Sequence, residues 1–190
     1  MKPRGIRDDR SYEFPVFRCA AYGLRLRLLL RGADVETTVY IETSISSFYH
    51  EIREGAEFIA MRNWIREWWD SRMRVYKCFT SAAVLDELEE GNHPGKADKI
   101  QLLDKVELLE INDDIEEIVE VYISNYLMPK DVLGDALHLA IASFHKMDYL
   151  LTWNRSHLAN ANKKKRIRRI NERLRLATPE IITPLELMED

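Results

Sequence analysis

From Thr38 onward the apolar positions follow two alternating rhythms, short unbroken runs and stripes at helical spacing. The run Thr37-Thr38-Val39-Tyr40-Ile41 is β-branched and aromatic, as in a buried strand. Phe58, Met61, Ile65 and Trp68 share one helical face, predicting an amphipathic helix over residues 57–72. A second strand is expected over 76–80. Ser81 is the expected N-cap of a helix carrying Glu87, ended by Gly91 and Pro94. A helix over 96–105 and a strand of mixed polarity over 106–111 follow. Asn112 or Asp113 then caps a helix with the stripe Ile115, Ile118, Val119, Tyr122, Ile123 and Tyr126, which Pro129 breaks. The next helix starts near Gly134 and is expected to bury Leu137, Ala140, Ile141 and Phe144. Residues 148–153 read as a strand, 163–176 as a basic helix and 180–182 as a last strand before Pro184.

Strands alternating with helices, the strands apolar almost throughout, imply an α/β protein with a mostly parallel sheet and helices on both faces. Residues 1–36 do not share this rhythm. Residues 1–10 are charged, Phe14-Pro15-Val16-Phe17 suits a brief extended piece, and 23–32 alternates Leu and Arg. The segment reads as a poorly ordered leader or an accessory hairpin, or else translation begins near Val35 or Val39.

At 190 residues the chain suits one domain with a full core. Hydrophobic residues make up 46% and charged residues 32%, the balance of a soluble globular protein. A net charge of −4 excludes a polycation that coats nucleic acid, so binding to such a partner would need a local basic patch. Cys19 and Cys78 have neither metal spacing nor a disulfide framework and read as free thiols in a reducing compartment. The most apolar stretch, residues 24–30, is interrupted by Arg25 and Arg27 and falls short of the roughly 18 residues of a membrane helix. A cytoplasmic location is expected.

The candidate chemistry is acidic. Glu42 follows the first strand, which places its carboxylate at the carboxyl edge of the sheet, where ligands of open α/β sheets bind. Asp135 falls in the first turn of a helix, where an acid also compensates the helix dipole by about 0.3–1 kcal/mol. Glu87 stands among Asp86, Glu89 and Glu90, but only Glu87 falls on the apolar side of its turn, three residues beyond Val84 and four before Gly91. Carboxylates gathered within about 4 Å repel by a few kcal/mol each at an effective dielectric near 20, and a divalent cation offsets that cost. Hard oxygen ligands suit Mg²⁺ or Mn²⁺, and such an ion suits phosphodiester hydrolysis. No Gly-rich phosphate loop, Cys/His cluster or nucleophile elbow competes.

The segments Val39-Tyr40-Ile41-Glu42-Thr43-Ser44, Val84-Leu85-Asp86-Glu87 with Gly91-Asn92, Asp135-Ala136-Leu137-His138-Leu139-Ala140, and Leu150-Leu151-Thr152-Trp153-Asn154 with His157-Leu158-Ala159-Asn160 together resemble the PIN domain. More narrowly they resemble the VapC-type toxins of prokaryotic toxin–antitoxin pairs, a branch that the helix with Arg66-Glu67-Trp68-Trp69 also fits. The resemblance covers residues 38–188. It implies a three-layer α/β/α sandwich over 37–188 and a Mg²⁺-dependent endoribonuclease. It further implies a small antitoxin partner, homodimerisation, and Glu42, Glu87 and Asp135 as metal ligands with Asn154 as the fourth catalytic position. The chain departs from the pattern twice: the first acid is usually Asp, and the fourth is often Asp rather than an amide.

Thr43 and Ser44 can hydrogen-bond a metal ligand or a phosphate, or cap the turn after the strand; the resemblance favours a role for Ser44. His138, one turn beyond Asp135, is a further candidate to touch the site, whereas His157 and Asn160 read as ties of the loop after the strand. Trp64, Trp68 and Trp69 read as core and partner-facing surface. The run Lys163-Lys164-Lys165-Arg166 with Arg168, Arg169, Arg173 and Arg175 is the one dense basic patch. It is either a solvated helix face or a set of RNA phosphate contacts, chiefly Lys163, Lys164, Lys165, Arg166 and Arg169. The alternative to a nuclease is a degenerate PIN domain that binds RNA or a protein, and a third reading keeps the fold but changes the substrate, for instance to structured DNA.

Overall fold

Strand β1 (Thr38–Ile41) is the centre of a five-stranded, wholly parallel sheet in the order β3-β2-β1-β4-β5. The structure is a computed structural model that describes residues 36–90, 94–128, 133–154, 158 and 161–188. Its other strands are β2 (Lys77–Ser81), β3 (Glu107–Leu109), β4 (Tyr149–Leu151) and β5 (Glu180–Ile182). Seven α-helices are described: α1 (Thr43–Tyr49), α2 (Ala56–Ser71), α3 (Ala82–Glu90), α4 (Lys96–Leu102), α5 (Asp113–Ser124), α6 (Leu133–Phe144) and α7 (Ala161–Leu174). The architecture is the α/β sandwich expected from the sequence, with helices flanking the sheet. Residues 1–35, including Cys19, lie outside the described residues, as do the expected helix stop Gly91 and the loop residues His157 and Asn160.

The apolar runs explain the sheet. Val39, Tyr40, Ile41, Leu150 and Leu151 are wholly buried, because β1 and β4 are covered on both faces. Their starts are tied together by Asp148, whose Oδ2 accepts from the Thr38 amide at 3.0 Å and from Thr38 Oγ1 at 2.8 Å. Proceeding from β1, the chain first adds strands on one side, β2 and β3, and then on the other, β4 and β5. The order therefore reverses between β1 and β4, and a crevice is left outside the carboxyl ends of these two strands.

The helices bury the stripes that the spacing predicts. In α5, Asn112 caps the first turn through Oδ1 to the Ile115 amide at 3.2 Å, and Ile115, Ile118, Val119 and Tyr122 face the core. The Tyr122 hydroxyl donates to Asn171 Oδ1 of α7 at 2.6 Å, and burial pushes its pKa up to about 12. Helix α6 is buried almost all round: Ala136, Leu139, Ala140, Ile141 and Ala142 are fully enclosed, while Leu137 and Phe144 are half-buried.

Several expectations change. Tyr126 leaves the α5 stripe, being 82% exposed in a left-handed conformation beyond the helix end. The strands expected over 106–111 and 148–153 shorten to three residues each. Ser81 ends β2, and its hydroxyl meets Tyr40. Helix α1 was not anticipated, since Thr-Ser-Ile-Ser-Ser carries neither strong propensity nor an apolar stripe. It forms because Glu42 caps it and tertiary packing buries Ile45 and Ser46, the latter donating to the carbonyl of Lys99. No described helix is long and apolar enough to cross a membrane.

Candidate functional site

The crevice between β1 and β4 receives the acids from three separate elements. Glu42 follows β1 directly, and its carboxylate turns back to cap α1, accepting from the Ser44 amide at 3.0 Å and from the Ser44 hydroxyl. Ser44 Oγ in turn accepts from the Trp153 amide at 2.8 Å, so the end of β1 is latched to the end of β4. Ser44 thus supports the acid beside it, and the cap of α1 is Glu42 itself. Glu42 is only 4% exposed, and burial holds its carboxyl above the usual range; the charge of His138 and hydrogen bonds from Ser44 and Thr152 counter this in part.

Glu87 lies in the second turn of α3. Its neighbours Asp86, Glu89 and Glu90 are exposed, whereas Glu87 is half-buried, as its place on the apolar side of the turn implies. Its Oε2 accepts from the Thr43 hydroxyl and lies 3.2 Å from His138 Nε2. Burial raises the pKa of Glu87, but the hydrogen bond and charge of His138, with the Thr43 bond, outweigh it and bring the carboxyl below its usual value.

His138, from α6, is the hub of the site. Its ring is 1% exposed, and Nδ1 lies 2.9 Å from the Tyr40 hydroxyl, which lies 2.7 Å from Ser81 Oγ. Burial lowers the imidazole pKa, but Glu87, Glu42 and Asp135 together overcome it and leave the value raised. All three candidate carboxylates therefore act on one buried histidine. The sequence offered His138 as one candidate among several and gave no part to Tyr40. A tyrosine hydroxyl inside an otherwise apolar strand was the available signal, since a buried phenol needs a hydrogen-bond partner.

Asp135 stands in the first turn of α6, 8% exposed. Its Oδ1 accepts from Asn154 Nδ2 at 2.7 Å. The carboxamide thus presents its nitrogen, the donor, to the carboxylate oxygen. Asn154, the fourth catalytic position that the resemblance implies, thus stands beside Asp135 and donates to it.

The basic run does not form a single face toward the acids. Lys163 Nζ lies 3.9 Å from Met128 Sδ, and Arg166 donates to the carbonyl of Asn125 at 2.6 Å. Lys164 and Arg168 line a cleft of about 310 Å³ with Asp148 and Glu180, at the starting ends of β4 and β5 and thus at the opposite edge of the sheet. Lys165 and Arg169 are exposed. Trp68 is wholly buried, and Trp69 packs edge-on against it. Trp64 stacks on Trp153 with centroids 6.0 Å apart.

The donor set is one that a hard divalent cation takes: carboxylates and hydroxyls with a single imidazole and no thiolate. In type, Glu42, Glu87 and Asp135 fit Mg²⁺ or Mn²⁺, and burial, which raises the Glu42 carboxyl, marks a place where added positive charge is favourable. In arrangement each acid is engaged by a protein donor, and among the described residues no group of three His, Cys, Asp or Glu side chains is disposed to hold a metal ion. No protein-family model matches the sequence, and no curated protein matches it.

Proposed function

We propose that the protein is a metal-dependent endoribonuclease of the PIN class, acting as the toxin of a toxin–antitoxin pair. The observation that carries the reading is the placement of Glu42, Glu87 and Asp135 around His138 at the switch point of a parallel sheet. Glu42, Glu87 and Asp135 would hold Mg²⁺ or Mn²⁺. When bound, such an ion lowers the pKa of a bound water and stabilises the charge that develops on a phosphodiester undergoing hydrolysis. The chain's own residues do the positioning. Ser44 fixes Glu42, Thr43 and His138 fix Glu87, and Asn154 fixes Asp135, so little reorganisation is left for the moment of reaction. The exposed cations Lys165 and Arg169 supply phosphate contacts whose strength falls steeply with salt. A small antitoxin and a homodimer accompany this reading through the sequence resemblance alone.

A second reading, an RNA- or protein-binding domain without activity, is favoured by one feature: Asn154 where a fourth acid would complete the set. Purified protein incubated with total cellular RNA and Mn²⁺ or Mg²⁺, beside EDTA controls, separates the two. Discrete fragments that disappear with EDTA support the nuclease; RNA bound but uncut under all metal conditions supports the binding domain.

A further inference from the structure

Gly134 sits in the first turn of α6, immediately before Asp135, and its backbone has no need of glycine: among the described glycines only Gly95 has a positive φ. In a helix interior alanine is ordinarily favoured over glycine by about 0.5–1 kcal/mol. What the position lacks is room. A Cβ there would fall within the surface of Glu87 Oε1 and 3.2 Å from Glu87 Cδ. On its other side Glu87 is held by the Thr43 hydroxyl and by His138 Nε2. The carboxylate is thus seated between those two side chains and the bare backbone of residue 134.

We propose that Gly134 is a positioning residue, whose missing side chain lets the Glu87 carboxylate lie against the first turn of α6, the turn that carries Asp135. The proposal rests on the reading of Glu87 as one of the site's acids. The atom a methyl group would strike is the end of a flexible side chain, so the chain relieves the clash by swinging Glu87 aside. The cost falls on the placement of that carboxylate and hardly on the fold.

Gly134→Ala tests this in three measurements. Its Tm is expected to stay within a few degrees of the natural protein's, the loss being that of the Glu87–His138 contact alone. In metal-free protein the ¹⁵N shift of His138 Nε2, assigned by its loss in His138→Gln, is expected to move as Glu87 leaves it. Mn²⁺ affinity is expected to fall by about tenfold or more, the usual effect of disturbing the support of a metal ligand. In a Glu87→Gln background the same substitution is expected to change Mn²⁺ affinity no further. An unmoved imidazole shift with unchanged Mn²⁺ affinity overturns the proposal and leaves the acidic site standing. If the natural protein binds no Mn²⁺, the metal reading fails, and the imidazole shift alone decides on Gly134. A large loss of Tm that Glu87→Ala does not restore also overturns it.

Discussion

The side-chain amide of Asn154 donates to the carboxylate of Asp135 at 2.7 Å, joining the end of β4 to the first turn of α6 across the crevice. A neutral donor stands where a second carboxylate would need a cation between the two. The Asp135–Asn154 pair therefore needs no cation between its members, as a pair of carboxylates would.

Asn154→Asp removes that donor and sets two carboxylates against each other in a half-buried place. The metal-free variant is expected to melt below the natural protein at pH 7.5 and to recover on addition of Mn²⁺, with a larger rise in Tm than the natural protein gains. Thermal melts with and without Mn²⁺ check this. Equal melting temperatures for both proteins without metal would show that the pairing carries no such strain.

Asp135→Asn keeps the size of the side chain and removes its charge. RNA cleavage is expected to fall to background, while the circular dichroism spectrum stays unchanged and Tm shifts by a few degrees at most. Retained cleavage would remove Asp135 from the chemistry.

The pKa of His138 is raised in the folded protein above its ordinary value of 6.5. A raised value means that the bound proton stabilises the fold. This contribution is complete below pH 6.5 and is lost as pH rises through the folded value. The lowered value of Glu87 acts at the other end, adding stability above 4.5 that is lost on acidification. Metal-free protein is therefore expected to lose Tm as pH rises from neutral into the alkaline range, and His138→Gln to flatten that slope. An identical slope in His138→Gln would place the effect elsewhere.

Ile118 is wholly buried in the middle of the α5 stripe. Ile118→Ala is expected to cost about 2–5 kcal/mol through lost transfer energy and a residual cavity. Urea unfolding followed by circular dichroism measures it. A loss below about 1 kcal/mol would mean that the α5 stripe contributes little to the core.

Much of this protein is settled by interactions between near neighbours in the chain, and those the sequence determines by itself. The buried runs of β1 and β4, a cap of α5 at Asn112 or Asp113, the start of its stripe at Ile115, Ile118, Val119 and Tyr122, and the alternation that makes the sheet parallel all follow from local sequence. So does the choice of Glu87 over Asp86, Glu89 and Glu90, because helical spacing alone decides which of them turns inward. Tertiary structure decided what those rules cannot reach. Tyr40, Glu87 and His138 are about fifty positions apart along the chain, and only the strand order and the packing of α3 and α6 bring them together. The direction of the Asn154 amide, the role of Gly134 as empty space, the existence of α1 and the fanning of the basic run belong to the same class. Each depends on which atoms of a distant segment arrive nearby, and that is set by the packing of the whole chain, not by the few residues on either side.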